Sequence, residues 1–125
     1  MQPLMLCIHM SRERALRLSF AALSQGVTPR MVEPAQEGHT LAALCGLEPM
    51  KPAATDAQAG EEMLVFAFLE DQQLERLLPA LRSGMPPVRL KAVLTMDNRG
   101  WNCAQLYREL SGEAAAFAAR SCRLS

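Results

Sequence analysis

Cys7 and His9 stand two residues apart in the apolar run LMLCIHM, a spacing that puts thiol and imidazole on one face of a β-strand. Such a pair is the minimal kit for a cysteine nucleophile with its base. On a strand covered on both sides, however, it reads better as a packed thiol beside a hydrogen-bonded histidine. Ser11 and Arg12 follow directly, and Glu70 and Asp71 close the other long apolar run, MLVFAFL. A histidine, a serine, an arginine and two carboxylates converging at strand ends would make an acid–base or anion-binding crevice. The bases of helices have their own use for Ser11, Glu70 and Asp71, as caps and first-turn charges. His39 lies between Gly38 and Thr40 without the further ligands a metal needs. Cys7, Cys45, Cys103 and Cys122 form no CxxC or Cys–His cluster. Gly26, Gly38 and Gly46 are isolated, so no phosphate-cradling loop is present. The spacings therefore predict no catalytic residue, no metal and no cofactor, and the chain leans away from being an enzyme. His9, Ser11, Arg12, Glu70 and Asp71 are the candidate ligand-binding set.

The elements that must hold these residues emerge when the chain is slid on itself by 58 positions. MLCIHMSRERALRLSFAALSQGVTPRMV then lies over MLVFAFLEDQQLERLLPALRSGMPPVRL with seven identities in 28 positions and a matching apolar pattern. Each half reads as strand, amphipathic helix, glycine stop, Pro-containing turn and second strand. Residues 4–10 and 63–69 are nearly continuous apolar runs, the mark of strands buried on both faces. Leu74, Leu77, Leu78 and Leu81 form one helical stripe. Pro79 inside that helix predicts a kink, because it removes a hydrogen bond and crowds the carbonyl of Glu75. Residues 30–33 and 88–95 are more polar and read as edge strands. Short helices follow from His39 to Cys45 and from about Asn102, with Ser111-Gly112 expected to interrupt the last.

One domain over residues 1–125 is expected, of α/β class: duplicated βαβα units, a four-stranded sheet ordered 2-1-3-4 with strands 1 and 3 central, and helices on both faces. A ferredoxin-like α+β sandwich gives the same central strands but leaves one sheet face bare. The internal repeat covers residues 4–45 and 63–110. Its halves are joined by residues 46–62, GLEPMKPAATDAQAGEE, which read as a flexible linker. With order 2-1-3-4, the crevice is expected between the carboxyl ends of strands 1 and 3.

Thirteen basic and thirteen acidic residues give no net charge, which disfavours a general grip on nucleic acid or an anionic membrane. The charges fall in blocks nevertheless: residues 1–32 carry +3, residues 33–75 carry −8 and residues 76–125 carry +5. Folding the ends over the middle neutralises them; contact between copies is the other use. Arg89, Lys91, Arg99 and Arg108 are the bases a nucleic acid would use. The few phenylalanines, Phe20, Phe66, Phe68 and Phe117, read as core or helix contacts and not as a stacking platform. No apolar run approaches the roughly 20 residues of a membrane helix, and no signal peptide is visible, so reduced thiols in a cytoplasmic protein are expected.

The stretch LKAVLTMDNRGW ends a strand in a turn and then the single tryptophan. Asp97 or Asn98 can accept backbone hydrogen bonds there, Gly100 can take positive φ, and Trp101 can pack under the sheet end. Together with EEMLVF, QLERLLPALR, PPVRLKAVLT, the N-x-x-W of Asn98 to Trp101, and QLYREL, this stretch resembles the bacterial domain-of-unknown-function family 3783. VEPAQEGHTLAALCGLE resembles it more loosely. The resemblance implies a small bacterial protein and importance for Asn98 and Trp101, structural or in binding; it supplies no catalytic residues. A non-catalytic interaction or regulatory module is expected, taking a protein partner, a second copy or a small ligand. The alternative is a small enzyme or ligand sensor using the crevice.

Overall fold

The computed structural model describes residues 2–50 and 58–124, with side chains through residue 113. Strand β1 (Leu4–Ile8) leads through helix α1 (Arg12–Ser24) to β2 (Thr28–Val32). A 3-10 turn at Pro34–Gln36 and the short helix α2 (Leu41–Leu44) follow. The second half runs β3 (Met63–Ala67), α3 (Asp71–Arg82), β4 (Leu90–Val93) and α4 (Cys103–Leu124). The four strands form one mixed sheet in the order β2-β1-β3-β4. Central strands β1 and β3 are fully buried, as their unbroken apolar runs require.

Alternation sorts these two strands into two cores. Leu4, Leu6, Ile8, Met63, Val65 and Ala67 face a cluster completed by Leu41 and Leu44 of α2 and by Cys103 and Leu106 of α4. Met5, Cys7, Leu64 and Phe66 face the other way, onto Ala15, Leu18 and Ala22 of α1 and Leu77 and Leu81 of α3. Both faces are covered, so the ferredoxin-like alternative, with its open face, does not apply.

Local chemistry sets the element ends. Ser11 Oγ accepts the Arg14 N–H at 3.2 Å and caps α1. At the other end Gly26 takes φ +75°, and the Val27 N–H reaches back to the Ala22 carbonyl at 2.9 Å, a left-handed stop that glycine accepts without strain. Gly84 adopts the same φ of +75° beyond α3. Helix α3 runs through Pro79 to Arg82. Two details depart from the sequence reading. The last helix passes through Ser111-Gly112 unbroken. Phe20, expected as a packing contact, is 65% exposed. Part of the 46–62 connection is anchored: Ala59 is buried in the α2/α4 core, and Gly60 lies against the Tyr107 ring. Residues 51–57 of that connection, and the side chain of Phe117, lie outside the described residues.

Candidate functional site

Strand β1 stops at Ile8 because His9 turns into the left-handed region, at φ +54°. This reversal decides where the imidazole goes. Cys7 stays on the α1/α3 face, while the His9 ring swings towards Glu37, so the two do not share a face as strand alternation implied. A non-glycine residue in this conformation is strained and persists only where its surroundings hold it. Here the holder is a carboxylate. His9 Nδ1 lies 3.3 Å from both oxygens of Glu37, whose residue is 0% exposed. Glu37 Oε1 also accepts the Ala59 N–H at 2.9 Å, and the Glu37 carbonyl accepts the Cys103 N–H at 3.0 Å. Glu37 thus joins the 3-10 turn, the connection before β3 and the start of α4. Since a carboxylate only accepts, Nδ1 is the ring nitrogen that carries a proton in this pair.

The His9 side chain remains 36% exposed. It opens on a cavity of about 240 Å³ lined by His9, Met10, Met31, Val32, Pro34 and Glu37. This cavity lies at the carboxyl ends of β1 and β2, which run parallel and pair Cys7 with Met31 and Ile8 with Val32. The location is where parallel strands leave room for ligands. The walls are thioether, aliphatic and proline surface, with one basic nitrogen at the mouth.

The crevice anticipated between strands 1 and 3 does not form. These strands are antiparallel, with Ile8 opposite Met63 and Leu4 opposite Ala67. His9, Ser11 and Arg12 therefore sit at one edge of the sheet and Glu70 and Asp71 at the opposite one. A run buried on both faces looks the same in either direction, so its apolar pattern could not reveal the reversal. Of the five candidates, only His9 lines the cavity. Ser11 serves as the α1 cap and Arg12 is exposed; Glu70 is the residue before α3 and Asp71 its first-turn acid. The acids actually close to the His9 edge are Glu61 and Glu62, before β3. Glu62 pairs with Arg14 Nε at 2.7 Å, and Arg14 also donates to the Pro86 carbonyl at 2.8 Å. No sequence signal singles out Glu37 or Met31. Glu37 lies 28 residues from His9, and no spacing rule reaches that far.

The turn 95–101 has a structural occupation. Asn98 Oδ1 accepts the Thr95 N–H at 2.8 Å, Asn98 Nδ2 donates to the Val93 carbonyl at 3.0 Å, and the Asn98 N–H donates to Thr95 Oγ1 at 3.2 Å. The turn so fixed presents two carbonyls to α2: Trp101 O accepts the Leu41 N–H at 2.8 Å and Arg99 O the Ala42 N–H at 2.9 Å. Thr40 Oγ1 accepts the Ala43 N–H at 3.1 Å. The first three amides of α2, which a helix cannot satisfy itself, are all paired. The Trp101 ring packs on the α2/α4 core.

Three thiols, Cys7, Cys45 and Cys103, are free and buried. Burial pushes Cys7 and Cys103 up to about 12, Cys103 also feeling Glu37; burial likewise raises Cys45 to about 11 against the pull of Arg30. Such thiols are poor nucleophiles. Among the bases a nucleic acid would need, Arg89 pairs with Glu61 and Lys91 donates to the Val88 carbonyl. Among the described residues no group of three His, Cys, Asp or Glu side chains is placed to hold a metal, and no helix is long and apolar enough to cross a membrane.

The fold and its cavity define a small α/β protein built on a four-stranded mixed sheet, with one histidine–carboxylate pair at a strand-end pocket. Residues 62–117, from the start of β3 into α4, are similar to a family described as a domain of unknown function (DUF3783), whose model they match. The looser likeness in VEPAQEGHTLAALCGLE falls outside the match, as do His9 and Glu37. No curated protein and no solved structure matches the chain.

Proposed function

We propose that this protein is a non-catalytic regulatory or interaction module whose small-ligand site is the pocket of His9 and Glu37. One observation carries the reading: a strained, half-open histidine is held by a fully buried carboxylate at the mouth of a strand-end cavity. Strain of this kind collects at ligand sites. The pocket is lined mainly by apolar side chains beside His9 and Glu37, and the described thiols are buried and unreactive, which suits recognition better than turnover. Its place between β1 and β2 replaces the strand 1–strand 3 crevice of the enzyme-or-sensor alternative. Free buried thiols at Cys7, Cys45 and Cys103 support a cytoplasmic setting. The matching glycine stops, Gly26 and Gly84, which occupy equivalent positions of the repeat and share φ +75°, support descent of the two halves from one duplicated unit.

The test is a metabolite screen by thermal denaturation. A ligand at 100 times its Kd stabilises by about 2.7 kcal/mol, and His9→Ala should abolish that gain while remaining folded. If no compound shifts the native chain, or if shifts survive in His9→Ala, the pocket is not the site.

A second reading concerns a protein partner, specifically another copy of this chain. Leu16, Phe20 and Leu23 recur at helical spacing on α1 and are 56%, 65% and 57% exposed. Antiparallel pairing of two α1 helices would set Phe20 on its counterpart and bring Arg12 and Arg17 of each copy to the carbonyl end of the other, whose last turn holds no base. Light scattering should then give a dimer for the native chain and a monomer for Phe20→Glu. A monomer for both removes this reading.

A further inference from the structure

We propose that the Asn98 side chain guards an open edge of the sheet: it takes the place of a neighbouring strand beside β4 and keeps a second copy of this chain from pairing there. Strand β4 is an outer strand of the order β2-β1-β3-β4. The Leu94 N–H reaches inward to the Phe66 carbonyl at 2.9 Å, so by alternation Lys91, Val93 and Thr95 turn their backbone groups away from β3. Asn98 Nδ2 donates to the Val93 carbonyl at 3.0 Å, and Asn98 Oδ1 accepts the Thr95 N–H at 2.8 Å. A residue of a parallel strand lying opposite Leu94 would make the same two bonds with its own N–H and carbonyl. Because the Thr95 N–H only donates and the Val93 carbonyl only accepts, the side-chain amide has one orientation. The edge it covers is hazardous. Val93 and Met96 are 48% and 81% exposed there, and an apolar edge with free N–H groups is a template for another strand. Antiparallel pairing of two β4 strands about Ala92 would set Lys91 of each copy opposite Val93 of the other, with no like charges face to face. In that pairing the Lys91 N–H needs the Val93 carbonyl of the other copy, the acceptor that Asn98 occupies. The far edge of the sheet reaches the same end by another device. The Thr28 N–H bonds the Pro3 carbonyl at 2.9 Å, so Pro29 and Met31 point outward from β2, and Pro29 has no N–H to offer. The repeat places Pro87 at the position of Pro29, but β4 begins only at Leu90, which leaves the block on this side to Asn98. The inference stands apart from the His9 pocket.

The test uses the full chain carrying Phe20→Glu, which removes association through α1. In this background Asn98→Ala should shift from monomer to dimer in light scattering as its concentration rises. The Lys91 and Val93 N–H groups, fast in hydrogen exchange in the monomer, should become protected in the dimer. Asn98→Asp keeps the bond from Thr95 while freeing the Val93 carbonyl, and it should show the same shift should Asn98→Ala fail to fold. Phe66→Ala loses stability but keeps Asn98 in place and should stay monomeric, which separates edge pairing from association of unfolded chains. Val93→Pro removes an N–H that the ladder to β3 does not use; added to Asn98→Ala, it should restore the monomer. The proposal is overturned if both Asn98 variants stay monomeric or associate no more than Phe66→Ala. A dimer in which Lys91 and Val93 remain unprotected, or one that survives Val93→Pro, overturns it as well.

Discussion

Phe66→Ala is expected to lower the unfolding free energy by about 3–5 kcal/mol, the range for deleting a phenylalanine ring from a packed interior. Phe66 is 2% exposed in the middle of β3, paired with Met5 of β1, and it lies among Leu18, Leu64, Leu77 and Leu81 between the two halves. Its neighbours come from β1, α1, β3 and α3, so the void cannot be closed by shifting one element. Stability for a domain is typically about 5–15 kcal/mol, so a loss of this size would leave a measurable unfolded fraction. The contrast is Phe20, whose ring stands out from α1: in a monomer Phe20→Ala should change stability by no more than about 0.5 kcal/mol. Urea unfolding of both variants gives the answer. A Phe66→Ala midpoint within error of the native one, at unchanged slope, would show that the two halves do not share this core.

Much of this frame was legible because burial leaves a direct trace in residue type. Unbroken apolar runs marked β1 and β3 as central, the Leu74–Leu81 stripe marked α3, and Ser11 and Gly26 marked the two ends of α1. Direction left no such trace. With helices on both faces, a central strand carries the same side chains whichever way it runs, and so the β1–β3 pairing, antiparallel in fact, was open. The misplacement of Glu70 and Asp71 followed from that one missing sign. The site itself depended on a backbone reversal at His9, a residue with no glycine-like licence for positive φ, and on a carboxylate 28 residues away. Neither is a property of local sequence. Phe20 was misread for a related reason: spacing reports which residues share a helix face, while only packing reports whether anything covers it.

Asn98→Ala should destabilise the protein by about 2–4 kcal/mol, although it removes only a small side chain. The side chain accepts from Thr95 and donates to Val93, and the residue is 8% exposed. Truncation would strand a backbone N–H and a backbone carbonyl together, each costing about 1–3 kcal/mol when left unpaired out of water. The loss should also travel. Leu41 and Ala42 donate their amides to carbonyls of Trp101 and Arg99, and those carbonyls are aimed by the turn that Asn98 closes. Hydrogen exchange at Leu41 and Ala42 should therefore quicken in Asn98→Ala by more than the drop in global stability explains. Trp101→Phe keeps the backbone carbonyl and trims only packing surface, so the same two amides should stay protected relative to the global change. If Asn98→Ala instead left both amides as protected as in the native chain, the turn would be holding nothing but itself, and a binding role for Asn98 would become the better account of its place in the sequence.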